Sequence, residues 1–329
     1  MQTALVITSI ASPNKVLKTY AKLCKEKNIH YILIGDTKSP PDFQLEGCDY
    51  WSVERQKELK NSFADLVPYK HYARKNIGYL IAMQNGAEII LETDDDNFPY
   101  NSFLNFYPNK LNVSSIVAKN QWLNIYEYFS DERIWPRGFS LAHIQDGKNG
   151  EVKNEQLFNC PIQQGLADEN PDVDAMYRLS YLLPVRFKAN LKFALDKNTW
   201  CPFNSQNTVW YKEAFMLLYL PAYCSFRMTD IWRSFVAQRI AWENNWNILF
   251  YSSTVWQERN EHNLMKDFED EIPGYLNNHK IINELQNLQL KSGAANMEDN
   301  LLKCYDQLIS MQLVGEDEMP LLKEWIKHF

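Results

Sequence analysis

Glycine is scarce in this chain, with 11 residues in 329, where about 7% is usual. None of them builds a G-x-G-x-x-G or a G-x-x-x-x-G-K-[ST] element. That excludes a dinucleotide-binding Rossmann loop and a P-loop. Basic charge is not in excess either: 34 Lys and Arg stand against 41 Asp and Glu, a formal net charge of −7. A nucleic-acid partner is therefore not expected, because it needs a basic face. The six cysteines, Cys24, Cys48, Cys160, Cys201, Cys224 and Cys304, show no metal-ligand spacing and are too dilute for a disulfide scaffold. They read as free thiols of a reducing compartment. No apolar run approaches the ~18 residues of a membrane-spanning helix. Residues 1–10 lack the basic start of a signal peptide and read as a strand.

What the chain does have is aromatic side chains, 14% of residues with 10 Trp and 18 Tyr. Such rings fill cores, and they also line sugar sites, where an apolar face meets the sugar. It also has Asp94-Asp95-Asp96, directly after the apolar segment Ala87-Glu88-Ile89-Ile90-Leu91. Adjacent carboxylates repel one another. A strand that ends in three of them points to a hard cation, Mn²⁺ or Mg²⁺, shared with substrate phosphates. A solvated acidic turn is the plain alternative.

The first hundred residues alternate in the α/β manner. Ala4-Leu5-Val6-Ile7-Thr8 reads as a buried strand, and Ser12-Pro13 as the cap and first position of a helix. Val16, Leu17, Tyr20, Leu23 and Cys24 share one face of that helix. Tyr31-Ile32-Leu33-Ile34-Gly35-Asp36 is a second strand ending in an acid. A helix follows over 70–85, with Gly86 as its C-cap. Residues 100–225 read as irregular and aromatic. Thr229-Asp230-Ile231-Trp232 opens a helix to about Trp242, Ile248-Leu249-Phe250-Tyr251 is a strand, and the chain is mostly helical from Leu264. The expected division is a catalytic unit over 1–290 and a helical appendage over 291–329. In doubly wound sheets, ligands bind beyond the carboxyl ends of strands. Thr8, Asp36 and the triple Asp are all expected there.

Five stretches carry a family resemblance: RKNIGYLIAMQNGAEIILETDDDNFP, WPRGFSL, QQGLADENPDVDAMYRL, RMTDIWRSFVAQR and QERNEHNLMKDFEDEIPGYLNN, in that order within residues 70–280. Together they resemble the STELLO glycosyltransferase family. The first three are more weakly similar to the reversibly glycosylated polypeptides, the UDP-arabinopyranose mutases. The resemblance implies a GT-A-like α/β fold, a doubly wound mixed sheet with flanking helices and a helical C-terminal extension. It implies a nucleotide-sugar donor, UDP-linked by preference, and a carbohydrate or glycolipid acceptor. The alternatives are a UDP-sugar mutase and a non-catalytic nucleotide-sugar-binding scaffold. A HAD-type phosphatase also places Asp-x-Asp after a strand, but Asn97-Phe98 replaces the small residues it needs there. The expected location is cytoplasmic, peripheral to a membrane at most, or the Golgi lumen where an anchor precedes the chain.

Roles then fall to individual residues. Asp94 and Asp96 are metal ligands, and His262 completes their shell by the family pattern. Asp95 faces the donor's ribose or sugar. Arg74 and Lys75, at a helix start, contact the diphosphate or base, since Arg matches phosphate with a planar fork. Thr8 and Asp36 contact the nucleoside. Arg137 matches by position the arginine glycosylated in the mutase-like relatives, and a guanidinium beside the diphosphate is the chemically easier role. Asp172 and Asp174 point the same way if extended, toward sugar hydroxyls, or form an Asx turn around Pro171. Asp230, in a first helical turn, is either a cap or the base that accepts the acceptor hydroxyl's proton.

Overall fold

The computed structural model describes residues 1–258 and 263–329. Its strands are β1 (Thr3–Thr8), β2 (His30–Ile34), β3 (Asp49–Trp51), β4 (Ile89–Thr93), β5 (Asn97–Pro99), β6 (Lys110–Val113), β7 (Ser115–Ala118), β8 (Gly150–Val152), β9 (Gln156–Asn159), β10 (Ile162–Asp168), β11 (Lys192–Leu195), β12 (Asn207–Tyr211) and β13 (Ile248–Gln257). One large sheet runs β3-β2-β1-β4-β12-β10-β13-β11-β7-β8, with β5 paired to β13 off that path. β6 and β9 form a separate antiparallel pair.

The α/β reading holds where the pattern is strongest. β3, β2, β1 and β4 are all parallel. Ala4, Leu5, Val6 and Ile7 are each at most 1% exposed, as expected of a parallel strand covered on both faces. The faces divide by alternation. Leu5 and Ile7 pack with Leu17 and Tyr20 of the helix Lys15–Lys27. Ala4 and Val6 pack with Ile77 and Ile81 of the helix Lys75–Gln84. That second helix lies close on the sheet, because a Cβ on Gly78 would meet Val6 Cγ1 at 2.5 Å. One boundary differs from expectation: Asn14, not Ser12, caps the first helix, its Oδ1 accepting from the Leu17 amide at 2.8 Å. Asn has the reach for the third amide, and Pro13 simply precedes it.

The middle of the chain is far less irregular than its sequence suggests. β7, β10, β11 and β12 all come from it and complete the sheet. β12 runs antiparallel to β4, with Asn207 opposite Thr93. β10 lies between β12 and β13 and is buried along its whole length. The sheet is therefore mixed, parallel in its N-terminal part and switching direction at β12.

The fifteen-residue helix Thr229–Glu243 is buried on every side up to Trp242. The helix Leu264–Asn287 packs beside it, where Trp232 Nε1 donates to Asn278 Oδ1 at 2.9 Å. The helices Met297–Ser310 and Glu318–Ile326 follow. Leu301, Cys304, Leu308, Leu321 and Trp325 of these last helices belong to the same hydrophobic core as the sheet. All six cysteines are free thiols. Among the described residues, no helix is long and apolar enough to cross a membrane.

Candidate functional site

A cleft of about 490 Å³ opens at the carboxyl ends of β1, β2 and β4. Thr8, Asp36, Arg74, Asp94, Asp95, Asp96, Arg137, Asp172 and Asp230 all line it. Three of these, Arg137, Asp172 and Asp230, come from beyond residue 100, so the topology gathers elements far apart in sequence. His262 lies outside the described residues.

The acidic cluster forms one wall, and its three side chains are engaged differently. Asp94 Oδ1 accepts from the Tyr72 hydroxyl at 2.8 Å and from Lys75 Nζ at 3.2 Å. The Asp95 carboxylate accepts from the Ser9 hydroxyl. Asp96 Oδ2 accepts from Gln257 Nε2 at 3.0 Å. Its Oδ1 is buried with no hydrogen-bond partner among the described residues. Burial pushes all three carboxyls up from their ordinary range. Asp96 is raised to about 7, since burial is joined by repulsion from Asp94. An orphaned carboxylate oxygen in a crowded acidic cluster is a group that a cation would satisfy.

The opposite wall is built by Arg137. Its Nε and Nη2 donate to the two oxygens of Asp172 at 2.8 and 2.9 Å, a bidentate fork. Nη2 also reaches Asp230 Oδ2 at 2.9 Å, and Nη1 donates to the Arg227 carbonyl. Gly138 makes this turn possible. Its φ is +85°, and a Cβ there would meet Ile231 Cγ2 at 2.4 Å.

Asp230 sits in the first turn of its helix, but Met228 holds the cap position and no side chain caps it. The capping role is therefore not its own. Its Oδ2 accepts from Arg137 and from the Ser205 amide and hydroxyl, at 3.2 and 3.3 Å. Oδ1 takes none of the hydrogen bonds that Asp230 accepts among the described residues. Burial pushes this carboxyl up, but the Arg137 charge and hydrogen bond outweigh it and hold it well below the usual carboxylate range. A line of polar contacts joins the two walls, its two hydroxyl protons shared among three contacts. It runs from Asp94 to the Tyr72 hydroxyl, then Ser205 Oγ at 2.5 Å, then Asp230.

Two expected ligands stand elsewhere. Lys75 does not line the cleft: it is fully buried, and its ammonium points under Asp94. Asp174 is fully buried too. Its Oδ1 accepts from the Tyr177 amide at 2.7 Å and its Oδ2 from Trp135 Nε1 at 2.9 Å. It caps the helix Ala175–Ser180 in place of binding sugar. The chain turns at Asp174 into that helix, so the shared direction expected of Asp172 and Asp174 is lost. Arg74 lines the cleft, yet its Nη1 donates to the Val67 carbonyl at 2.9 Å and its Nη2 to Gln56. Asp36 accepts from the amides of Thr37 and His71, at 2.6 and 3.2 Å.

Sequence reasoning missed Ser9, Tyr72, Ser205, Gln257 and Phe226, which touch or line the cleft. Ser9 and Gln257 adjoin segments already singled out, and that adjacency was the available signal. Ser205 had none. Lys38 and Lys70 also line the cleft, exposed and without an ion pair among the described residues. Their charge suits an anionic ligand.

Among the described residues, no group of three or more His, Cys, Asp or Glu is arranged to hold a metal alone. Two carboxylates with phosphate oxygens are a sufficient set for Mg²⁺. The donors of Asp94 and Asp96 fit that case, because the orphaned Asp96 Oδ1 needs a partner.

An acid-lined cleft at the strand ends of a doubly wound mixed sheet defines the class, an α/β protein built to take a ligand at its carboxyl edge. The comparisons place it more narrowly. The family model for STELLO glycosyltransferases matches residues 227–329. "Probable glycosyltransferase STELLO2" of Arabidopsis thaliana is 30% identical over 275 residues, covering 76% of this chain and 35% of that protein. "Probable glycosyltransferase STELLO1" of the same plant is 28% identical with the same coverage. The chain belongs to the STELLO glycosyltransferase family. It spans about a third of the length of these curated relatives. A solved structure titled "Crystal Structure of a Mycobacterial Protein" superposes at a TM-score of 0.45 with 9% identity, over 84% of this chain and 74% of that one. So loose a likeness carries no functional argument.

Proposed function

We propose that the cleft is a GT-A-type, metal-dependent glycosyltransferase site. It takes a nucleotide-diphosphate sugar, UDP-linked by preference, and transfers the sugar to a hydroxyl of a carbohydrate or glycolipid acceptor. The observation that carries this reading is the orphaned Asp96 oxygen. It stands in an acidic cluster that faces a second carboxylate, Asp230, across one cleft. Asp94 and Asp96 would hold Mn²⁺ or Mg²⁺ together with the donor phosphates. Bound there, the ion neutralises charge that develops on the leaving nucleoside diphosphate.

The chain's own residues do the rest. Lys38 and Lys70 attract the diphosphate. Thr8 and Asp36, at the ends of β1 and next to β2, flank the nucleoside. Asp230 stays ionised beside Arg137 and offers Oδ1 to the acceptor hydroxyl. Its low basicity means that position supplies most of its effect. The mutase alternative through a glycosylated Arg137 finds no support here, since Nε, Nη1 and Nη2 all donate hydrogen bonds.

A thermal-shift panel of UDP, GDP and ADP, each with Mn²⁺ or EDTA, tests this. Binding to the folded state alone raises stability by RT ln(1 + [L]/Kd), about 2.7 kcal/mol at a hundredfold excess. The expected outcome is a shift with UDP that requires Mn²⁺ and vanishes in Asp96→Ala. Equal shifts in EDTA and in Mn²⁺ would sink the metal-dependent reading.

A further inference from the structure

Lys75, beside the acidic cluster, has no access to the cleft: it is 0% exposed. An ammonium has three protons. Here it meets four acceptors: the Tyr72 hydroxyl and the Thr93 carbonyl, each at 2.8 Å, and Asp94 Oδ1 and the Ser205 carbonyl, each at 3.2 Å. No proton is left over for a phosphate. Among the described residues its ion pair is with Asp94.

We propose that Lys75 is a built-in countercation, a positioning residue that sets how much external positive charge the cluster takes. This rests on the metal-site reading above and deepens it. Once all three carboxylates are ionised they carry three negative charges, and Lys75 cancels one through Asp94. Two remain, which one divalent ion matches. The side chains divide the same way: Asp94 is held by Lys75 and Tyr72, Asp95 by Ser9, and Asp96 keeps the oxygen without a partner. Lys75 thus fixes Asp94 in one orientation and weakens the cluster's pull on a cation. The site then holds the ion weakly by itself and tightly only when donor phosphates contribute ligands as well.

The consequence is opposite to that of a phosphate-binding lysine. Neutralising Lys75 strengthens the binding of the bare ion. Mn²⁺ binding without nucleotide is read by electron paramagnetic resonance and calorimetry on the full chain. Wild type is expected to bind one ion, weakly. Lys75→Met is expected to bind it at least tenfold tighter, and Lys75→Gln, which keeps a donor for the Thr93 and Ser205 carbonyls, serves if the Met variant does not fold. In an Asp94→Asn background, the tightening should disappear, because Lys75 acts through Asp94. A merely structural lysine would lower stability without this background dependence. Unchanged or weaker Mn²⁺ binding in folded Lys75→Met or Lys75→Gln overturns the proposal and leaves the metal site standing. No Mn²⁺ binding by wild type, with or without UDP, overturns both.

Discussion

Two buried arginines stand near one another on or against the same helix and do different work. Arg233 donates through Nη1 and Nη2 to both oxygens of Glu92, at 3.1 and 2.9 Å. Tyr79 and Trp210 complete that carboxylate's shell. The two ion-pair side chains are 1% and 0% exposed. Arg137 holds Asp172 and Asp230 in much the same bonding pattern, but it lines the cleft. The sealed pair joins β4, just before the acidic cluster, to the helix that carries Asp230, and so fixes one wall against the other. Among the described residues, the hydrogen bonds that Asp230 accepts all go to Oδ2 and none to Oδ1. Ion-pair chemistry alone does not separate scaffold from site. What separates them is whether every oxygen is already satisfied and whether water reaches the group.

The sharpest break of this comparison is in the sealed pair. Arg233→Met strands the Glu92 charge in the core, and removing one partner of a buried pair costs about 3–5 kcal/mol. Denaturant unfolding should show that loss, and Arg233→Met with Glu92→Leu should recover part of it. A loss under 1 kcal/mol would mean that the pair does not pin the two walls. In the cleft pair the effect should fall on chemistry. Asp230→Asn keeps shape and most hydrogen bonds, so UDP and Mn²⁺ binding should persist while turnover falls by roughly 10²–10⁴. Near wild-type turnover would reject the base role.

The smallest effect is a pH dependence at the acidic wall. Asp96 is raised to about 7, so its folded pKa lies above its unfolded value. Its contribution to stability is then fully present below pH 4 and is lost as pH rises through about 7. A cation needs the ionised form. The Mn²⁺-induced rise in Tm should therefore be slight at pH 5.5 and grow toward pH 8. Asp96→Asn should flatten it. A cation shift independent of pH would remove Asp96 from the ligand set.

How much of this was written in the sequence depends on distance along the chain. Runs such as Ala4 to Ile7 and Ile89 to Leu91 are apolar because both faces are covered, and that is a local pattern. The helix at Thr229 and the placement of Thr8, Asp36 and the triple Asp at strand ends followed from the same kind of signal. The family blocks then brought in Arg137, Asp172 and Asp230. Strands from the middle of the chain escaped, because the pairing of β10 and β12 with β13 and β4 is set by neighbours far away.

The residue sequence by itself determined the parallel N-terminal sheet, its two covering helices and the acid at its carboxyl edge, since local periodicity encodes each of these. Tertiary structure alone decided which acid does what. Asp172 and Asp174 are two residues apart, yet one pairs with Arg137 and the other caps a helix. Lys75 looked like a phosphate contact and is sealed beneath Asp94. Distant partners decide these roles: Arg137 lies 35 residues from Asp172, Trp135 39 from Asp174, and Asp94 19 from Lys75. A side chain's chemistry is fixed by its type, but its charge state, exposure and free hydrogen-bonding positions depend on what folding brings against it.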